Sequence, residues 1–79
     1  MEQSNIERSV KAVMADVFGV APESIDAKTR RDNTPRWDSQ NHITLSLALE
    51  DEFGISLDVS EIESMFSFNE IVQVIERKI

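Results

Sequence analysis

Seventy-nine residues, 41% hydrophobic and 29% charged, give a chain large enough for one small core and too short for two. There is no cysteine, so neither a disulfide frame nor a thiolate metal site is available and packing alone must hold the fold. No apolar run approaches the ~20 residues of a membrane span, and Met1 to Ile6 lacks the basic and apolar regions of a signal peptide. The expectation is a single domain over residues 1–79, monomeric and cytoplasmic.

The net charge of −7 is unevenly placed. Residues 1–36 balance six acids against six bases, whereas from Trp37 to Glu76 every charge is negative. Such a surface repels phosphate backbones, which argues against nucleic-acid binding, and it steers basic protein surfaces inward. Net charge also keeps any small domain soluble, so composition by itself leaves the partner open.

Ile6, Val10, Val13, Met14 and Val17 recur on one helical face, with Ser4 and Glu7 as a capping box, and predict a first helix over residues 5–18 that stops at Gly19. Residues 19–37 have no sustained period and contain Pro22, Asn33 and Pro35. They predict a long loop with one short turn near Glu23 to Ile25, pinned by Val20, Ile25 and Trp37. Ser39 to Phe53, free of Gly and Pro, predicts a second helix capped by Asp38 and ended at Gly54. Asp58 with Glu61, or Ser60 as the cap, starts a short third helix carrying Ile62 and Met65. Ser67 with Glu70 opens a last one whose Phe68, Ile71, Val72, Ile75 and Ile79 share a face. The chain therefore reads as all-α, a small four-helix bundle of three main helices and one short third helix, with a long loop between helices one and two.

At 100° per residue the second helix has two apolar sectors. Leu45, Leu49 and Phe53 make a core stripe. Ser39, Ile43 and Leu47 form a ridge on nearly the opposite side, with Gln40 and Glu50 beside it and Asp51 at its edge. Either the long loop covers this ridge, or it is a docking surface of apolar anchors in an acidic rim, suited to a basic partner. Ser39 follows the cap, where backbone N–H groups lack partners and the helix dipole is positive, a position that favours an anionic modification. The neighbouring Asp38 carboxylate partly opposes such a charge, or else helps hold a divalent cation while a transferase acts.

Trp37-Asp38-Ser39, then His42-Ile43, Leu45, Ala48-Leu49-Glu50, Phe53-Gly54-Ile55, Glu61-Ile62, Met65, Ser67 and Ile71, resembles freestanding acyl carrier proteins. The resemblance is strongest over residues 37–79. It implies that Ser39 receives 4'-phosphopantetheine from a phosphopantetheinyl transferase, and that the arm's thiol carries acyl or aminoacyl groups as thioesters. That would explain thiol-bound cargo on a chain without cysteine. It also implies that Gln40, Ile43, Leu47, Glu50 and Asp51 meet partner enzymes: an acyl-activating ligase, a synthase or an acyltransferase with a basic docking surface. Two positions depart from the family pattern: Gln40 replaces the usual leucine after the serine, and Trp37 the glycine common before the aspartate. Both point to a specialised carrier of a fatty-acid, polyketide or related pathway.

Ser39 and His42, three apart, also invite a hydrolase reading, but there is no nucleophile elbow and no second histidine, and the chain is expected not to be an enzyme. His42 is expected to be a partly exposed helix residue, or a minor contact near the prosthetic group. No acidic run has the spacing of a calcium loop, so no metal site is expected. Met14 and Met65 read as core, and Trp37 as the residue that packs the loop. The remaining alternative is an unmodified acidic helical module that binds a basic partner, a reading that Gln40 keeps open.

Overall fold

The computed structural model describes residues 2–79, with side chains from Asn5 onward. Helix α1 spans Glu2–Phe18, α2 Ser39–Phe53, α3 Val59–Glu63 and α4 Phe68–Lys78, with single 3-10 turns at Pro22–Ser24 and Arg31–Asn33 in the long connection. The architecture is an all-α bundle in which α1 packs on both α2 and α4.

Helix α1 begins earlier than its apolar period does. Glu2 and Gln3 are good helix formers, and an acid at the positive helix end is favourable, so the helix extends ahead of Ile6. Ser4 therefore lies within the helix rather than capping it, and its side chain falls outside the described residues. Gly19, at φ 69°, ends the helix, and the Val20 N–H donates to the Ala15 carbonyl at 3.0 Å. The buried face is Ile6, Val10, Met14, Ala15 and Phe18, with Val13 and Val17 half-buried against it. Phe18 thus occupies the core at the end of the helix, where the expected stripe ended at Val17.

The other helices are fixed by side-chain caps. Asp38 Oδ1 accepts from the Asn41 N–H at 2.8 Å, and Gly54, at φ 63°, closes α2 in the left-handed conformation. Asp58 and Glu61 form a reciprocal box at α3, with N–H to carboxylate distances of 2.8 and 3.0 Å. The bond from the Asp58 N–H, together with Lys78 at 2.9 Å, holds the Glu61 carboxyl below the usual glutamate range. At α4 the Ser67 hydroxyl accepts from the Glu70 N–H at 3.2 Å. Ile71, Val72, Val74 and Ile75 are buried, but α4 stops at Lys78 and Ile79 is exposed instead of joining the apolar face.

The long loop is held differently from expectation. Ile25 and Trp37 are buried pins, whereas Val20 is exposed. Trp37 lies against Phe18 with ring centroids 5.2 Å apart. The additional anchors are backbone bonds: the Arg31 N–H donates to the Phe66 carbonyl at 2.8 Å and the Phe68 N–H to the Thr29 carbonyl at 3.0 Å, around an isolated antiparallel bridge between Arg30 and Ser67. The loop therefore crosses to the α3–α4 turn and leaves the outer face of α2 bare.

Candidate functional site

The first turn of α2 presents Ser39 and Gln40 to solvent, directly after the capping Asp38. The cap occupies one Asp38 carboxylate oxygen with the Asn41 N–H. The Asn41 side chain in turn donates to the Arg36 carbonyl at 2.7 Å, which sets the angle at which the loop enters the helix. Ser39 Oγ accepts a hydrogen bond from Arg31 Nη2 at 3.1 Å. The exposed hydroxyl is thus the most accessible nucleophile of this turn and faces a guanidinium.

Above it, Ile43 and Leu47 are 59% and 60% exposed. The loop does not cover them, so Ser39, Gln40, Ile43 and Leu47 form a continuous strip with the exposed Asp51 at its edge. Glu50 is half-buried, and its Oε2 accepts the Leu57 N–H at 2.7 Å, holding the segment after α2. Its carboxylate therefore has a structural task that Asp51 lacks.

His42 is buried, contrary to the partly exposed position expected. The Trp37 indole N–H can only donate, so at 2.9 Å it fixes His42 Nδ1 as acceptor. The proton then resides on Nε2, which donates to the Ile62 carbonyl at 2.7 Å. Both ring nitrogens are engaged across three elements, and the imidazole is not paired with Ser39. The serine–histidine arrangement of a hydrolase is absent here, and His42 instead locks the loop and α3 onto α2.

Two residues of this region escaped the sequence reading. Arg31 reaches Ser39 from the loop, eight positions away, and its guanidinium carbon lies 6.0 Å from the ring of Phe66, itself 49% exposed. With Arg30, Asp32 and Trp37 they line a cleft of about 600 Å³ beside the serine. The only sequence signal was a basic pair in the loop preceding the motif; no periodicity could place it. Among the described residues no helix is long and apolar enough to cross a membrane.

No family model matches the chain. It is, however, 32% identical over 79 residues to the acyl carrier protein of Thermosynechococcus vestitus (strain NIES-2133 / IAM M-273 / BP-1), an alignment that covers 100% of this chain and 98% of that relative. Because the likeness runs the length of both chains and coincides with an all-helical bundle of the expected element order, the chain belongs to the acyl carrier protein family.

Proposed function

We propose that the chain carries a 4'-phosphopantetheine arm on Ser39 and delivers acyl or aminoacyl groups, held as thioesters, to enzymes that dock on α2. The observation that carries this reading is an exposed serine hydroxyl at the first position of α2, with an uncovered apolar ridge rising from it. The residues fit the group: Ser39 is open to solvent, and a cleft lies beside it. When attached, the arm supplies the thiol on which cargo is carried. The protein's own residues do the positioning. Asp38 fixes the turn that presents Ser39, Ile43 and Leu47 offer desolvatable anchors, and Asp51 with Glu50 supplies the negative rim that a basic enzyme surface would find. Gln40, exposed between serine and ridge, puts an amide where a leucine would enlarge the apolar anchor, which favours a dedicated ligase, synthase or acyltransferase over general fatty-acid enzymes.

Incubation with coenzyme A and a broad-specificity phosphopantetheinyl transferase, read by intact mass, tests the assignment. The expected result is one added phosphopantetheinyl group mapped to Ser39, absent in Ser39→Ala, which keeps its fold because Asp38 retains the cap. No gain on folded protein, with a transferase active on a control carrier, would favour the unmodified binding module instead.

A further inference from the structure

We propose that Arg31 and Phe66 form a resting site for the phosphate-proximal part of the arm: the Arg31 guanidinium pairs with the phosphodiester on Ser39, and the Phe66 ring covers the branched methyl carbons beyond it. The inference rests on Ser39 bearing that arm. Arg31 Nη2 already lies 3.1 Å from Ser39 Oγ, so an oxygen on a phosphorus bonded to Oγ falls within reach of the same guanidinium. Among the described residues no ion pair reaches Arg31, since Asp32 pairs instead with Arg30 at 3.3 Å. A phosphodiester would supply the missing charge, and the guanidinium would offset repulsion between that anion and Asp38.

The site is ordered before any arm arrives. The Arg31 N–H is tied to the Phe66 carbonyl at 2.8 Å, and the 3-10 turn carrying Arg31 is braced by Asn33, whose Oδ1 accepts the Arg30 N–H at 2.8 Å and whose Nδ2 donates to the Lys28 carbonyl at 2.9 Å. Phe66 lines the same cleft, 6.0 Å from the Arg31 guanidinium carbon, with half its surface in water, although it sits between the buried Met65 and Phe68. An apolar ring next to a poised guanidinium matches a ligand that is anionic at one end and branched aliphatic just beyond it. The consequence is a bias in where the arm rests between deliveries, held on the loop side of Ser39 and away from the Ile43–Leu47 ridge that a partner enzyme must reach.

Nuclear magnetic resonance on isotope-labelled protein, with loading verified by intact mass, tests this. On loading, the Arg31 Nε–H signal should shift and its exchange with water slow by about two- to fivefold, the range of an exposed ion pair, and the effect should vanish near ~1 M salt. Cross-peaks should join the arm's methyl groups to the Phe66 ring. They should fall in Arg31→Gln and persist in part in Arg31→Lys. The wild-type readouts decide the matter even if a variant unfolds. Loaded protein whose Arg31 and Phe66 signals match the unloaded form, or cross-peaks unchanged in Arg31→Gln, would overturn the resting site while leaving the carrier reading intact. Absence of any mass gain would overturn both.

Discussion

Leu45 and Leu49 on one face of α2 are fully buried, while Ile43 and Leu47 on the other, of the same chemistry and each two residues from a buried leucine, stand about 60% exposed. The difference comes from what the neighbours do. Helix α1 packs against α2, and the long loop, which could have covered the opposite face, is drawn across to the α3–α4 turn by its backbone bonds to Phe66 and Phe68. Leaving two such side chains in water forgoes about 1–2 kcal/mol each relative to burial. The two faces of one helix thus divide the work: one supports the fold, and the other is kept available at a cost in stability.

The largest expected effect separates these faces directly. Leu49→Ala should lose about 2–5 kcal/mol by opening a cavity between α2 and its neighbours. Leu47→Ala and Ile43→Ala should stay within about 0.5 kcal/mol, because a side chain mostly in water leaves no void. Urea unfolding of the three variants measures both. Comparable losses on the two faces would show that the ridge is covered in solution, and the division of labour would fail.

How far this was readable from the sequence depended on the range of the interactions concerned. Caps and stops are local: Asp38, Gly54, the Asp58–Glu61 box and Ser67 act within four residues, and each is found where its pattern predicts. The two sectors of α2 were legible for the same reason, since a helix fixes angles from spacing alone. The core stripe was legible too, but whether the opposite ridge is covered was not, because that depends on the path of the loop, set by Arg31–Phe66 and Thr29–Phe68 pairs far apart in the chain. The same non-local pairing brings Arg31 to Ser39. His42 was misjudged because its burial rests on two partners, Trp37 and the Ile62 carbonyl, neither of which spacing on α2 reveals.

The His42 lock provides the next test, now of the buried face alone. His42→Ala would strand the buried Trp37 N–H, whereas the Ile62 carbonyl keeps the Met65 N–H at 3.3 Å, and since an unsatisfied buried group costs about 1–3 kcal/mol, a loss of about that size is expected. Trp37 fluorescence reports the same event as the indole loses its partner and its seat against Phe18 and His42. His42→Gln sharpens the point, because one amide can replace at most one of two bonds that leave the ring on different sides, so partial recovery is expected. Full stability in His42→Ala would mean that packing alone holds the loop, and that these bonds add no net stability.

The smallest effect divides two adjacent acids. Glu50 and Asp51 sit side by side, but Glu50 binds the Leu57 N–H and Asp51 is exposed. Asp51→Lys should leave stability within about 0.5 kcal/mol. It should slow association with a basic partner enzyme, in a manner that weakens as salt screens the rim. Glu50→Lys should do the same and also lose about 1 kcal/mol, because the Leu57 donor is left without its acceptor. Glu50→Gln separates the roles: it retains an oxygen for Leu57 and removes the charge, so stability should largely return while association stays slow. If Glu50→Gln associates as the wild type does, the half-buried carboxylate belongs to the fold alone, and Asp51 is left as the acidic edge of the ridge.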